Sequence, residues 1–242
     1  MDFFLNRFPV YLDGALITLL MTVLGSLLAF VLAMAIGILG TLRNPAARAV
    51  ATAYTEAFRG VAALVLLFWF AYAIPQITAY ELSPMFAGIL ALGLNVGAYG
   101  AEVVRAAINA VPKAQTEATI ALNMSWARRM WLVLLPQAWA QMLPTFGNLI
   151  IELMKASAIV SLIGVADLAD VASKQQSSTG NTVLAYGSAM VMYFVIAQLL
   201  IFGMRMLERQ ANRRLGRSTA GGGGLLSLLR PPTPGTRVGA AK

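Results

Sequence analysis

The sequence predicts an all-α, polytopic membrane protein with five transmembrane helices. The chain has 242 residues, of which 59% are hydrophobic and 12% are charged, whereas a soluble domain carries roughly 25% charged residues. A helix needs about 20 predominantly apolar residues to cross a bilayer, and several runs of the sequence reach that length. These runs place the helices at about 15–40, 52–80, 84–108, 139–165 and 183–206, within a transmembrane domain of residues 1–208.

Charged and helix-breaking residues separate these predicted helices. Residues 14–42 contain no charge, and the Arg43-Asn44-Pro45 sequence ends the first helix. The second helix ends before Glu81, and the polar stretch 109–138 divides the third helix from the fourth. Residues 166–182 are predicted to be a polar loop before the fifth helix.

The residue inventory excludes several kinds of chemistry. The chain has neither cysteine nor histidine, which excludes disulfide frameworks, Cys/His zinc sites and histidine acid–base catalysis. The first apolar run is too long for a signal peptide and lacks its basic flank, so it predicts a retained membrane helix. We also predict a protein that is not an enzyme and holds no metal or cofactor of its own.

The basic residues orient the chain in the bilayer, because lysine and arginine are enriched in cytoplasmic segments. With the N-terminus outside, the outer segments carry Arg7 and Lys174 against five acidic residues. The inner segments then carry Arg43, Arg48, Lys113, Arg128, Arg129 and the tail 209–242, which holds seven of the 18 basic residues and no acid. This predicts an N-out, C-in topology.

The tail at 209–242 is predicted to be a disordered cytoplasmic extension. It contains GGGG and PPTP sequences, and such compositions do not form a packed core. Its basic residues are not interleaved with aromatic ones, as they are in nucleic-acid-binding segments, so we predict no nucleic-acid partner.

Small residues recur along two of the predicted helices. Gly25, Ala29, Ala33 and Gly37 follow one another at intervals of four in the first helix, and GxxxG at 93–97 lies in the third. Such stripes let membrane helices approach closely. We predict that they form helix–helix contacts.

Three acid–base pairs at i and i+3 lie in or near the membrane: Glu56 with Arg59, Glu102 with Arg105, and Glu152 with Lys155. Each pair can neutralise itself on one helix face, and the first two are interpreted as structural pairs near cytoplasmic helix ends. Glu152 and Lys155 lie about midway along the fourth helix, where a charge costs on the order of 3 kcal/mol. They either line a substrate path or form a buried pair that fixes helix packing.

A polar face of the fourth helix extends this candidate path. Its members recur at spacings of 4, 3, 4 and 3: Gln141, Thr145, Asn148, Glu152 and Lys155. Asn95, Tyr99 and Glu102 share one face of the third helix and are predicted to line the same path. The candidate substrate-path residues are therefore Asn95, Tyr99, Glu102, Asn148, Glu152 and Lys155.

The segment 112–136 predicts two short helices on the cytoplasmic side. Pro112 suits a helix start, and Asn123 tolerates the left-handed conformation that ends a helix. Ser125 caps a second helix that Pro136 is expected to end. The physics leaves open whether this segment is an interfacial amphipathic helix or a docking element for a cytoplasmic partner.

Residues 115–138, QTEATIALNMSWARRMWLVLLPQA, resemble the EAA loop of ABC importer permeases. The segments YLDGALITL, YTEAFRG, NVGAYGAEVVRAAINAVPKAQ and NLIIELMKASAIVSLIGVADL resemble the polar amino-acid (histidine/glutamine) subfamily. The resemblance covers about 1–210. It departs from the family pattern at Thr119 and Asn123, after FRG at 61–66, and at Lys155-Ala156-Ser157-Ala158-Ile159. The segments LNVGAYGAEVVRAAI, ALNMS and FGNLIIELMKAS are similar to the ectoine/hydroxyectoine permease branch.

The resemblance implies a type I importer (MetI-like) permease in the bacterial cytoplasmic membrane, importing a small polar or zwitterionic solute by alternating access. A second permease subunit, two cytoplasmic ATPase subunits and an external solute-binding protein are the implied partners. ATP is hydrolysed by those subunits, since this chain has no GxxxxGK[ST] sequence. The implied ATPase-coupling residues are Gln115, Glu117, Ala118, Ala121, Asn123 and Pro136.

Two other functions fit the residues alone. Glu102, Glu152 and Lys155 can form an ion relay in an ion-coupled secondary transporter, although such transporters usually show inverted repeats that are not visible here. The cytoplasmic segment is also compatible with a non-transporting membrane adaptor.

Overall fold

The computed structural model describes residues 2–214, and each regular element in that range is a helix. This confirms the all-α prediction. The predicted tail lies outside the described range from residue 215 onward. In chain order the helices are α1 (Asp2–Leu39), α2 (Pro45–Arg59), α3 (Ala63–Thr78), α4 (Pro84–Asn109), α5 (Lys113–Ala121), α6 (Trp126–Ile163), α7 (Leu168–Thr179) and α8 (Thr182–Arg214).

Four of these helices, α1, α4, α6 and α8, are long and apolar enough to cross a membrane. A fifth crossing is formed if α2 and α3 act as one span bent by 96°. The number of spans agrees with the prediction, but the second span is not the single helix expected at 52–80. It begins at Pro45 and is interrupted at residues 60–62.

The interruption in the second span is held by a polar side chain from α4. The Asn95 side-chain amide donates hydrogen bonds to the carbonyl oxygens of Phe58 (2.7 Å) and Val61 (3.3 Å). Nearby, the Tyr54 hydroxyl donates to the Leu94 carbonyl at 2.9 Å. These contacts satisfy carbonyl groups that a broken helix leaves without intrahelical partners. The sequence places Asn95 and the break 34 or more residues apart, so local patterns did not reveal the pairing.

Small residues let α1 and α4 approach closely, as the sequence predicted. Ala33 is fully buried, and a Cβ added to Gly100 on α4 would lie 2.7 Å from its methyl group. A Cβ on Gly37 would lie 2.7 Å from the Ala101 carbonyl oxygen. The backbones therefore touch where larger side chains cannot fit.

Substituting Gly37→Ala is expected to destabilise the protein by about 1–3 kcal/mol, because the new methyl group meets backbone that cannot move away. The measurement is thermal unfolding of the detergent-solubilised protein. Gly203→Ala is the matched control, since a Cβ there has no neighbour within 4 Å. Equal midpoints for the two variants would contradict the close approach.

The fourth span continues through Pro136, which was wrongly predicted to end a helix. A π-helical turn at Met130–Leu134 precedes the proline, which then lies in the first turn of the following α-helical segment Leu135–Ala156. Proline lacks the N–H that an α-helix needs, and the wider turn accommodates that loss. As a result, α6 runs unbroken from Trp126 to Ile163 and ends in a 3₁₀ segment at Ser157–Ile163.

Two further boundaries differ from the sequence prediction. The stretch expected to be a loop at 166–182 contains α7, whose N-terminus is capped by Asp167 and which ends at Gly180 with φ +67°. Residues Leu168, Val171 and Ala172 of α7 are buried in a cluster with Tyr11 of α1 and Ala189 of α8. The last helix extends to Arg214, beyond the predicted boundary at 208.

Asp167 lies outside the spans and is fully buried. Its carboxylate accepts hydrogen bonds from the Asp170 N–H (3.0 Å) and the Tyr193 hydroxyl (3.2 Å). Burial raises the pKa of this carboxyl above 3.8, and the hydrogen bonds from Asp170, Ala169 and Tyr193 only partly oppose the rise. Because the folded protein favours the protonated form, ionisation of Asp167 destabilises the fold as the pH rises from 3.8 through the raised pKa.

Asp167→Asn is expected to remove this pH dependence, because asparagine keeps an acceptor for the helix cap without the charge. The measurement is the unfolding midpoint at several values between about pH 4 and pH 7. The wild-type midpoint should fall relative to that of the variant as the pH increases. Asp13→Asn, at an exposed position, is the matched control substitution. A parallel profile for Asp167→Asn would contradict the prediction.

Candidate functional site

The cytoplasmic helix α5 is closed at its end by a specific turn. Asn123 adopts the left-handed conformation with φ 54°, as predicted. The Met124 N–H donates to the Thr119 carbonyl (3.0 Å), and the Asn123 N–H donates to the Ile120 carbonyl (2.8 Å). This pattern is a Schellman motif, which fixes the direction in which the chain leaves the helix.

The next helix starts immediately after this turn. The Ser125 hydroxyl caps α6 by accepting a hydrogen bond from the Arg128 N–H at 3.4 Å, as predicted. A second tie joins the two helices, because the Gln137 side-chain amide donates to the Gln115 side-chain oxygen at 3.3 Å. The short turn and this bond connect α5 directly to the fourth span.

One side of α5 is exposed and mixes apolar with polar groups. Ala114, Ala118 and Ala121 are exposed, and the neighbouring Ile120 and Leu122 are 51% and 74% exposed. By contrast, Thr119 is buried, and its hydroxyl bonds to the Thr116 carbonyl at 2.7 Å. A helix with small side chains and exposed apolar groups suits close docking of another protein.

The predicted coupling residues lie around this surface. Gln115, Glu117, Ala118 and Ala121 are exposed on α5, and Asn123 forms its terminal turn. Pro136 is not on α5; it lies on α6, next to Gln137, whose side chain bonds to Gln115. The structure thus groups five of the six predicted coupling residues at one end of the fourth span.

The polar face of α6 is exposed along its length. All five of its members, Gln141, Thr145, Asn148, Glu152 and Lys155, are exposed. The opposite face is buried and includes Met142, Leu149 and Leu153. Among the side chains that the structure describes, residues 8–211, the ion pairs are Glu102–Arg105 and Asp170–Lys174. The ion pairs that the i, i+3 spacing permits between Glu152 and Lys155 and between Glu56 and Arg59 therefore do not form, so the interpretation of Glu56 and Arg59 as a structural pair is corrected.

The candidate path residues on α4, namely Asn95, Tyr99 and Glu102, do not lie on the polar face of α6. Asn95 is 9% exposed and holds the break in the second span. Tyr99 lies under the guanidinium of Arg59, whose carbon is 5.2 Å from the ring centroid. Glu102 pairs with Arg105 and lines a cavity of about 280 Å³ between α1, α2 and α4. No residue of the α6 polar face lines that cavity, so the chain by itself does not unite the two groups.

The chain has a bent second span and a short cytoplasmic helix before a long fourth span. This order of helices defines a class of membrane permease found in solved importers. A crystal structure of an amino acid ABC transporter with histidines matches with a TM-score of 0.78 and 33% identity, covering 85% of this chain and 96% of that one. The MetNI methionine ABC transporter in an inward-facing form matches with a TM-score of 0.75 at 21% identity, covering 85% and 98%. The latter likeness shows the fold alone.

The chain belongs to the family of binding-protein-dependent transport system inner membrane components, whose family model matches residues 21–217. A Sinorhizobium fredii protein named "Probable amino-acid ABC transporter permease protein" is 40% identical over 84% of this chain and 87% of its own length. The arginine transport system permease protein of Bacillus subtilis is 31% identical over 84% and 93%. The predicted fold, the ABC importer function and the multi-pass inner-membrane location are thereby confirmed.

This assignment decides between the functions that the residues alone left open. A binding-protein-dependent permease works with ATPase subunits, which favours the ATP-driven importer over an ion-coupled transporter or an adaptor. The relatives are named as transport permeases, in agreement with the prediction that the chain is not an enzyme.

Proposed function

We propose that the chain forms one half of a translocation unit that imports an amino acid, with the polar face of α6 lining the path. The observation that carries this proposal is the exposure of Glu152 and Lys155 on a span, without an ion pair among the described side chains of residues 8–211. Charges at such a depth do not face lipid tails but water or another protein. The polar face therefore borders an aqueous path, a second subunit, or both.

A second permease subunit covers this face in the proposed assembly. An exposed polar stripe on one side of α6, opposite a buried apolar side, needs a partner with its own polar groups. A copy of this chain or a related permease supplies such a surface. Asn95, Tyr99 and Glu102 then approach the path from α4 only through the assembled pair, since the single chain keeps them apart from α6.

Two ATPase subunits dock on α5 of the two permeases, and an external binding protein delivers the solute. The small and apolar groups of α5 enter a groove on the ATPase, and Glu117 supplies a polar contact at its rim. Because α5 joins the unbroken α6 through the Asn123 turn and the Gln115–Gln137 bond, a displacement of α5 moves the polar face. Alternating access follows if ATP closes the ATPase pair.

The proposed solute is an amino acid, because relatives at 31–40% identity are named for amino acids or arginine. Ectoine and hydroxyectoine are the second candidates, on the similarity of LNVGAYGAEVVRAAI, ALNMS and FGNLIIELMKAS to that branch. Both classes are small zwitterions.

Purification of the tagged chain from its native membrane tests the proposal. We expect an ABC ATPase to co-purify in equal number with permease subunits. The purified complex, with its binding protein, should accumulate labelled amino acids in vesicles, and unlabelled ectoine should compete only if the second candidate is right. A chain that purifies without an ATPase would contradict the proposal.

A further inference from the structure

Charged side chains line the cavity between α1, α2 and α4. Its volume is about 280 Å³, and its lining contains three arginines and two glutamates: Arg48, Glu56, Arg59, Glu102 and Arg105. The hydroxyl groups of Thr52 and Thr55 also line it. A cavity of this size approaches the lower end of the range, about 300–1,000 Å³, that small-molecule sites occupy.

The cavity reaches from the predicted cytoplasmic boundary towards the centre of the bilayer. Along α4, which ends at Asn109, Arg105 lies about 6 Å from the helix end and Glu102 about 10 Å, at 1.5 Å per residue. Tyr99, beneath Arg59, lies about 15 Å from it, and the hydrocarbon layer is about 30 Å thick. Charged groups at such depths need water or a ligand around them.

The charges inside the cavity are not all matched. Arg105 donates from Nε to Glu102 Oε2 at 2.9 Å, so these two residues neutralise each other. Glu56, Arg48 and Arg59 form no ion pair with any side chain described between residues 8 and 211. A carboxylate and a guanidinium of α2 thus line the same cavity without bonding to each other.

Arg59 is held in position for a ligand. Its guanidinium stacks over the Tyr99 ring at 5.2 Å, and a cation–π contact orients the group without using its N–H donors. Asn95 fixes the adjacent end of α2 through the Phe58 carbonyl. A planar guanidinium with free donors binds a carboxylate through two parallel hydrogen bonds.

We propose that this cavity binds the zwitterionic head group of an α-amino acid during its passage, with the α-carboxylate on Arg59 and the α-ammonium on Glu56. The inference rests on the proposed import of amino acids and adds the groups that recognise them. It changes the interpretation of Glu56 and Arg59, which the sequence indicated as a structural pair. Glu56 favours a zwitterion over a simple anion such as phosphate, because a carboxylate repels a second anion.

A phosphatidylethanolamine head group carries the same two charges, so the experiment must separate a lipid from a free amino acid. The probe is a mixture of ¹⁴C-labelled proteinogenic L-amino acids, with ¹⁴C-ectoine in a parallel arm. Binding is measured on the purified permease–ATPase complex for the wild type, Arg59→Gln and Glu56→Gln. Arg43→Gln, on the exposed cytoplasmic turn, is the matched control.

We expect Arg59→Gln and Glu56→Gln each to weaken amino-acid binding by about tenfold or more, the effect of one lost charge-assisted hydrogen bond, while Arg43→Gln binds as the wild type does. N-acetylated amino acids, which lack the ammonium group, should fail to displace the label from the wild-type complex. This second readout holds even if a variant folds poorly.

Four results would overturn the proposal: wild-type affinity in both variants, displacement by N-acetylated analogues, label bound only in the ectoine arm, or phosphatidylethanolamine extracted from the wild type but absent from both variants. A wild-type complex that imports amino acids with ATP but binds no label also overturns it and leaves the importer function standing. Absence of both the ATPase subunit and uptake contradicts the importer function itself.

Discussion

Glu117→Ala is expected to uncouple the ATPase from the permease and to lower solute uptake by about tenfold or more. Glu117 is exposed on α5 beside the alanine surface, and it is the acidic residue of that helix. Loss of a charge-assisted contact at a protein interface commonly changes affinity by this amount. The measurements are co-purification of the ATPase subunit and ATP-driven uptake into vesicles.

Glu81→Ala is the matched control for this prediction, since Glu81 is an exposed acid in a turn predicted to lie outside the membrane. It should leave both readouts unchanged. The absence of native cysteines permits a second measurement, in which Ala118→Cys forms a cross-link to a cysteine placed in the ATPase groove. Unchanged uptake and co-purification in Glu117→Ala would show that this residue has no part in docking.

Lys155→Met is expected to reduce transport about tenfold while the complex still assembles. Lys155 is exposed near the end of the α6 polar face and has no ion pair within the part of the chain whose side chains are described, residues 8–211. If it borders an aqueous path, removal of its charge changes the field that a zwitterion meets. Uptake kinetics and assembly by size-exclusion chromatography provide the two readouts.

A lipid-facing Lys155 would give the opposite pattern. Moving a charge out of lipid relieves a penalty of about 2.5–3.5 kcal/mol, so Lys155→Met would then stabilise the protein and leave transport unaltered. Lys174→Met is the control, because Lys174 pairs with Asp170 on the external helix α7 at 2.6 Å. It is expected to alter neither transport nor assembly.

Local sequence signals predicted much of the connection between α5 and α6. Asn123 and Ser125 carry intrinsic preferences for helix ends, and both behave accordingly. The small residues of α1 and α4 likewise predicted a close contact between the two helices, since glycine and alanine let the two backbones approach each other. These features depend on neighbours in the chain or on residue size, which a sequence displays directly.

The structure differs from the sequence prediction where contacts between residues far apart in the chain override local conformational preference. Asn95 stabilises a break in the second span through carbonyls that no local pattern links to it. Pro136 suggested a helix end, but the π-helical turn before it preserves α6. The polar composition of 166–182 suggested a loop, whereas one apolar side of α7 packs on α1.

The sequence also did not predict which of the charged residues form ion pairs. Spacing at i and i+3 permits an ion pair, yet of the three predicted pairs only Glu102–Arg105 forms. In the other two, Glu56 and Arg59 line the cavity between α1, α2 and α4, and Glu152 and Lys155 are exposed on α6. The substrate-path residues on α4 and α6 remain a prediction, because they meet only in the proposed assembly.

In the proposed mechanism, ATP hydrolysis by docked subunits drives solute through this chain. The direct measurement is uptake of labelled amino acids into vesicles that contain the purified complex and its binding protein, with ATP enclosed, with ADP enclosed, or with an ion gradient alone. We predict accumulation with ATP and none in the other two conditions. Accumulation with the ion gradient alone, in the absence of ATPase subunits, would contradict ATP-driven import by this chain.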